Sequence, residues 1–296
     1  MGPLRITFYN QAFGAWPDVS AVGGDVEVRW ACGADAVPDA DAVVFHLPTL
    51  DPRVEVVKRA GQLWVAWSME SRVTCPLLDD PTWRLRFDVV ATHERASAVW
   101  TPYFGPGTVP WLLRPPSPKT ASSPVVMLQS NPYDTCGRTR FAFDLMRSVR
   151  VDSPGRVLRN CVLSVAPGWE GRVEVMRRYK FTLAFENSVS ADYVSDKFFD
   201  PLSVGSVPIY RGTRDVAALA PAPDSYIDAA DFSGPAELGA YLRALDRDPA
   251  AYARYHAWRE RGLAPSFLAH LERLRDPWLE RLARAVAARL AAGAER

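Results

Sequence analysis

The chain of 296 residues is long enough for two domains of ordinary size. Its 48% hydrophobic and 23% charged residues are those of a globular protein with a sizeable core, not of a disordered or fibrous chain. The 35 Lys and Arg offset 34 Asp and Glu, so no global field draws nucleic acid or an acidic membrane, and an anionic ligand has to be held by a few well-placed cations.

In chain order, Leu4, Ile6 and Phe8 alternate as a strand almost from the start, where no apolar core of a signal peptide is present. Short apolar runs at 42–45, 63–67 and 87–91 follow at intervals that leave room for crossovers, which predicts βαβ units and a mainly parallel sheet. Seven prolines then lie between Pro102 and Pro124, and because proline fixes φ and removes amide donors, this stretch is expected as an extended connector. The pattern resumes with strands at 125–128, 181–185 and 206–210 and helices at 140–149, 193–202 and 235–245. At the end Leu274, Trp278, Leu282, Val286 and Leu290 recur every four residues among Arg275, Arg281, Arg284 and Arg289, the pattern of an amphipathic helix packed on the body or bridging the domains.

These elements predict an α/β protein of two facing Rossmann-like domains. The first spans 1–118, the second spans 119–273, and the amphipathic helix takes 274–296. Ligands in such sheets bind beyond the carboxyl ends of the strands. Cys32, Cys75, Cys136 and Cys161 are too widely separated for a zinc or redox motif and read as reduced structural thiols. No stretch is long and apolar enough to span a bilayer. The expectation is a cytoplasmic protein whose membrane contact is at most peripheral, at the inner face and through the last helix.

The densest signal runs from Tyr179 to Gly212. Glu186, Asn187 and Ser188 follow the carboxyl end of a strand, and Ser190 is a candidate cap for the next helix. On that helix Tyr193, Asp196 and Lys197 share one face, while Val194, Phe198 and Leu202 form a separate apolar stripe. A helix N-terminus with a lysine suits a diphosphate, because amide dipoles and ammonium both stabilise anionic oxygen. The carboxylate beside them can accept hydrogen bonds from ribose or sugar hydroxyls. Spacing alone leaves an equal reading of Asp196 and Lys197 as surface charges.

Phe185-Glu186-Asn187-Ser188, then Asp192-Tyr193-Val194-Ser195-Asp196-Lys197, then Gly205-Ser206-Val207-Pro208-Ile209-Tyr210-Arg211-Gly212 closely resembles the signature of the α-1,3/4-fucosyltransferases, inverting enzymes of GT-B type. The resemblance is clear from about 181 to 212 and weaker back to the Glu70 region. It implies a donor site for GDP-fucose in which Asn187 contacts the donor and Tyr193 and Lys197 hold the diphosphate. Asp196 replaces the family's glutamate and is one methylene shorter. Glu186 and Ser188 complete the loop as donor-binding candidates. Pro201 is expected to end or kink the helix early. The family also places an arginine at the start of a helix corresponding to the one after the 125–128 strand. Arg140 is the preferred match and Arg138 the neighbouring one, and either is otherwise a solvated helix residue; guanidinium binds phosphate bidentately.

Inverting transfer needs a base. The family's Glu-Ser-Pro-like segment corresponds to Glu70-Ser71, with Arg72 where proline is usual. The resemblance makes Glu70 the catalytic base; the other reading is a loop carboxylate paired with Arg72. His46 and His93 are rival bases or acceptor contacts, read first as structural histidines, and Glu94 and Arg95 are further acceptor-side candidates. Trp16, Trp64 and Trp67 are read as core before sugar-stacking residues. No Asp-x-Asp loop or zinc-like cluster stands out, so no metal and no cofactor is expected, with the cations neutralising phosphate. The partners expected are a nucleotide sugar and a glycan acceptor, with transfer to O3 or O4 of GlcNAc or Glc in a bacterial surface glycan. Transfer of another nucleotide sugar, or binding without catalysis, are the other readings.

Overall fold

The computed structural model describes residues 2–20, 23–164 and 166–294. The chain divides into two compact units, one of Met1–Pro102 with Arg273–Arg296 and one of Tyr103–Glu272.

The first unit holds six parallel strands, β1 (Leu4–Phe8), β2 (Val28–Cys32), β3 (Ala42–His46), β4 (Leu63–Ser68), β5 (Val89–Thr92) and β6 (Val99–Trp100), in the order β2-β1-β3-β4-β5-β6. β3 is buried at all five positions, as expected for a central parallel strand covered on both faces. One face is covered by the helix Trp278–Ala294, whose Leu279, Leu282, Ala283 and Val286 pack with Ile6, Phe8, Val44 and Val65. Trp278 stacks on Trp67 at 4.9 Å between ring centroids. Full burial of each such aliphatic side chain contributes about 1.5–3 kcal/mol.

The second unit holds five parallel strands, β7 (Val125–Val126), β8 (Val151–Asp152), β9 (Phe181–Phe185), β10 (Val207–Arg211) and β11 (Ile227–Asp228), in the order β11-β10-β9-β7-β8. Helices Arg138–Leu145 and Pro235–Arg247 close one core with Val125, Phe181, Leu183 and Ile209.

Two expectations about domains change. The division falls after Pro102 instead of near 118, because the proline-rich stretch belongs to the second unit. Phe104 stacks on Phe267 at 4.8 Å, Arg259 donates to the carbonyls of Leu112 and Arg114, and Gly205 at φ +69° leaves no room for a Cβ against Pro116. The stretch is also not extended throughout, since Pro106–Thr108 and Val109–Leu112 are helical. The last helix is not a separate third segment, because its apolar stripe is covered by the first sheet; residues 295 and 296 lie outside the described residues.

Candidate functional site: a cationic cavity at the strand ends of the second unit

The strand β9 ends at Phe185, and a polar loop carries the chain to the helix Asp196–Ser203. This helix starts three residues later than its periodicity suggests. Asp192 takes a left-handed φ of +57°, and Ser195 is extended and caps the helix through its Oγ, which accepts from the Lys197 amide at 3.4 Å. Ser195, not Ser190, is therefore the cap. Tyr193 lies before the helix and does not share a helical face with Asp196 and Lys197; its side chain is buried and its carbonyl accepts from the Tyr210 hydroxyl at 3.2 Å. Val194, Phe198 and Leu202 are buried as expected. Pro201 sits in the last turn, and the helix stops two residues after it.

Glu186 is fully buried. Its Oε1 accepts from the Ser195 amide at 2.7 Å, and its Oε2 accepts from the Ser195 hydroxyl at 2.9 Å and lies 3.3 Å from Lys197 Nζ. In this geometry both oxygens of Glu186 are engaged by the N-terminal residues of the helix. Ser188 is likewise closed to solvent and donates to Asn187 Oδ1 at 3.0 Å. Asn187 keeps a little exposure, and its carbonyl accepts from the Thr135 amide at 2.9 Å, which ties this loop to the one after β7.

Lys197 donates from Nζ to Ser195 Oγ at 3.0 Å. Its side chain is about one third exposed, and Nζ lies near Glu186 and 3.7 Å from Asp196 Oδ1. Burial opposes its charge, yet Glu186 first and Asp196 second outweigh it, and its pKa is raised. Burial also works against the charge of Asp196, but Lys197 and Arg172 outweigh it and hold that carboxyl below its ordinary value.

The loop after β7 contributes the second cation. Asp134 accepts from the amides of Cys136, Arg138 and Thr139 at 3.1, 3.1 and 2.9 Å and so caps the helix Arg138–Leu145. Burial works to raise Asp134, but these amides bring it to about 2. Arg138 is 2% exposed and donates to the carbonyls of Phe185, Asn131 and Tyr133 at 3.0, 3.2 and 2.9 Å. Burial lowers its pKa, but it keeps its charge at neutral pH. Arg140 is placed differently from its expected role: it points to solvent and pairs with Asp144 at 2.7 Å.

Arg138 and Lys197 both line a cavity of about 110 Å³, whose remaining walls include Gln129, Ser130 and Asn131 after β7 and Thr182, Leu183 and Phe185 of β9. It lies at the carboxyl ends of two adjacent parallel strands, where α/β sheets bind ligands. The volume is below the roughly 300 Å³ of an ordinary ligand site, room enough for one charged end of a ligand but not for the whole of a nucleotide sugar.

Sequence reasoning passed over Asp134 and Arg172. Arg172 sits on the helix Gly168–Arg177 and pairs with both Asp196 and Asp200 at 3.0 Å. The four-residue spacing of the two aspartates is the signal that points to it.

In the first unit Glu70 follows the carboxyl end of β4. Its amide donates to Ser68 Oγ at 3.1 Å and its Oε2 accepts from Thr74 Oγ1 at 3.4 Å. The pairing of Glu70 with Arg72 is replaced by another: Arg72 is bidentate on Glu94, with one bond of 2.7 Å, and also pairs with Asp79. Glu94 is thereby engaged. His46 is 3% exposed, bonds Thr49 Oγ1 through Nδ1 at 2.7 Å and is lowered to about 4 by burial, so it is neutral at pH 7. His93 is buried, and its carbonyl accepts from Trp100 Nε1 at 2.8 Å. The Arg95 carbonyl accepts from Arg273 at 2.7 Å. Trp64 and Trp67 are core residues and Trp16 is exposed. Among the described residues no group of three or more His, Cys, Asp or Glu is arranged to hold a metal ion.

Comparison with known proteins adds to this geometry. A family model described as glycosyltransferase family 10 (fucosyltransferase) C-term matches residues 118–277. The 4-galactosyl-N-acetylglucosaminide 3-alpha-L-fucosyltransferase FUT6 of Homo sapiens is 32% identical over 257 residues, which cover 81% of this chain and 67% of that protein. GDP-fucose protein O-fucosyltransferase 3 of Bos taurus is 38% identical over 146 residues, or 47% of this chain and 30% of that protein. The chain thus spans between about a third and two thirds of the length of these relatives. A crystal structure of an alpha1,3-fucosyltransferase aligns over 98% of this chain and 90% of its own, with a TM-score of 0.68 and 17% identity. One solved with GDP-fucose aligns over 92% and 90%, with a TM-score of 0.58 and 18% identity. At these identities the likeness concerns the fold.

Proposed function

Since the chain belongs to glycosyltransferase family 10, the fucosyltransferases, we propose that it moves L-fucose from GDP-fucose onto a hydroxyl of a glycan acceptor, with inversion at the anomeric carbon. The observation that carries this reading is the pair of cations, Arg138 and Lys197, on the walls of one cavity at the carboxyl ends of β7 and β9. A diphosphate leaving group gains negative charge as the glycosidic bond breaks, and two fixed cations stabilise that charge where it develops. Lys197 stands in the first turn of a helix whose amide dipoles add to the effect.

In this proposal Arg138 takes the phosphate role in place of Arg140. Asp196 accepts hydrogen bonds from donor hydroxyls, Asn187 lines the donor loop, and Glu70 removes the acceptor proton. Neutralisation by Arg138 and Lys197 makes the reaction independent of a metal. A rate unchanged by EDTA agrees with that; loss of turnover restored by Mn²⁺ overturns it. The acceptor hydroxyl is O3 or O4 of GlcNAc or Glc in a bacterial surface glycan. The name of the FUT6 relative, a 3-fucosyltransferase acting on a galactosyl-N-acetylglucosaminide, supports the GlcNAc assignment.

The protein works in the cytoplasm, which the four free cysteines support. Any contact with the inner membrane face is electrostatic, because the apolar stripe of the last helix is already covered. Co-sedimentation with anionic vesicles that persists in 0.5 M salt (a value of order set by screening) argues against that mode of contact.

The test is incubation of the pure chain with GDP-fucose, GDP-mannose and UDP-sugars, with and without N-acetyllactosamine. GDP release from GDP-fucose that requires the acceptor supports the proposal. Faster turnover of another nucleotide sugar favours a changed donor, which the shorter Asp196 makes a specific second reading. Donor binding without turnover across a wide acceptor panel overturns the enzyme assignment.

A further inference from the structure

The helices Gly168–Arg177 and Asp196–Ser203 lie side by side, and one guanidinium joins them. Arg172 Nη1 is 3.0 Å from Asp196 Oδ2, and Nη2 is 3.0 Å from Asp200 Oδ2. The two aspartates are one helical turn apart, so a planar fork spans them with both bonds made at once. The second oxygen of Asp200 accepts from Trp169 Nε1 at 2.9 Å, which fixes the far end of the bridge.

From this arrangement we infer that Arg172 is a donor-positioning residue, which orients Asp196 and offsets the negative charge around Lys197 so that the ammonium remains available to a diphosphate. The inference rests on the donor-site reading given above.

Two observations carry it. The first is orientation. With Asp196 Oδ2 engaged by Arg172, Oδ1 is the oxygen left on the Lys197 side, 3.7 Å from Nζ. The aspartate is one methylene shorter than the glutamate of the family signature, and a short carboxylate held from behind presents a single defined acceptor. The second is charge. Glu186, Asp196 and Asp200 are three carboxylates around one ammonium. Three carboxylates and one ammonium sum to −2, and Arg172 brings the sum to −1, which lessens the repulsion of a diphosphate. The crowding shows in Asp200, which burial first and Asp196 second push up to about 6.

Arg172 and Asp196 are both more than a third exposed, so that pair contributes little to stability, whereas Asp200 is buried and loses its counter-charge when Arg172 is removed. Adding Asp200→Asn removes the stranded carboxylate and so separates an effect on donor binding from an effect on folding.

The experiment compares the full chain with Arg172→Met, Arg172→Lys and the double variant Arg172→Met/Asp200→Asn. It reads GDP affinity by calorimetry, kcat and donor KM with GDP-fucose and N-acetyllactosamine, and melting temperature. Arg172→Met is expected to raise the GDP Kd and the donor KM on the order of tenfold, with little change in kcat and with a fall in melting temperature that Asp200→Asn recovers. Arg172→Lys recovers part of the loss, and so does removal of the Asp200 charge in the Met background. Wild-type GDP affinity in Arg172→Met overturns the inference. So does a loss of affinity that Asp200→Asn leaves untouched once the melting temperature is restored. Lys197→Ala separates the two levels: if it too binds GDP normally, the donor-site reading fails; if it alone loses GDP, only the role of Arg172 fails.

Discussion

Lys197 Nζ lies 3.3 Å from Oε2 of Glu186, a carboxylate with no solvent exposure. The lysine thus serves the fold as well as the ligand role proposed for it. A buried anion is tolerated only with partners, and here those are Ser195 from its amide and hydroxyl and Lys197 from its ammonium. Lys197→Ala is expected to weaken GDP binding between about tenfold and a hundredfold. It should also lower stability by about 1–3 kcal/mol, because Glu186 loses its counter-charge. Adding Glu186→Gln should restore the melting temperature and leave GDP binding weak. Recovery of binding in the double variant would show that the ammonium acts only on the fold.

Arg138 and Arg140 offer a paired comparison two residues apart. Arg138 lines the cavity, whereas Arg140 is an exposed member of an i,i+4 pair with Asp144. Arg140→Ala should change stability by less than about 0.5 kcal/mol and leave donor KM unchanged. Arg138→Met should raise donor KM strongly and also destabilise, since three carbonyls lose their donor. Kinetics of both variants side by side decide between them, and a larger KM effect from Arg140→Ala would reverse the assignment.

Glu70→Gln keeps the shape of the turn after β4, including the amide bond to Ser68 Oγ. A lost general base costs about 10²–10⁴ in rate. The variant should therefore bind GDP-fucose normally and lose transfer by that factor. Retained transfer at the wild-type rate would remove Glu70 from the chemistry.

His46 gives the first unit a pH dependence. Burial holds it at about 4 in the native state, below its ordinary value near 6.5. Between those two pH values the unfolded chain binds more protons than the native one. The contribution is complete above about pH 6.5 and is lost as pH falls toward 4, by at most about 3 kcal/mol. Melting of wild type and His46→Gln from pH 7 to pH 4 checks this: the variant should show the shallower decline, and equal slopes would contradict it.

The strands β3, β4, β9 and β10 are legible in the sequence because central parallel strands are buried on both faces and read as unbroken apolar runs. β2 escapes because it is half-exposed and carries Arg29 within it, and β8 and β11 are only two residues long. The donor helix was readable as an element but not in its first turn. Periodicity extends through Tyr193, while the left-handed Asp192 and the extended Ser195 delay the start. The loop of Glu186 and Asn187 was legible as polar residues past a strand. That Glu186 faces inward depends on Ser195 and Lys197 closing over it, which residue type does not reveal. Arg138 illustrates the same point, because a buried arginine runs against composition and is explained only by the three carbonyls around it.

The helix Trp278–Ala294 completes the first sheet's core from the other end of the chain. During synthesis Phe8, Val44 and Val65 therefore wait without their cover while the whole 103–272 segment is made, roughly 9 to 34 s at ordinary ribosomal speed. The unit begun second is finished first. The N-terminal sheet has to be shielded from aggregation through that interval, and a nascent chain stalled before Trp278 would present an apolar sheet face with nothing to fold against it.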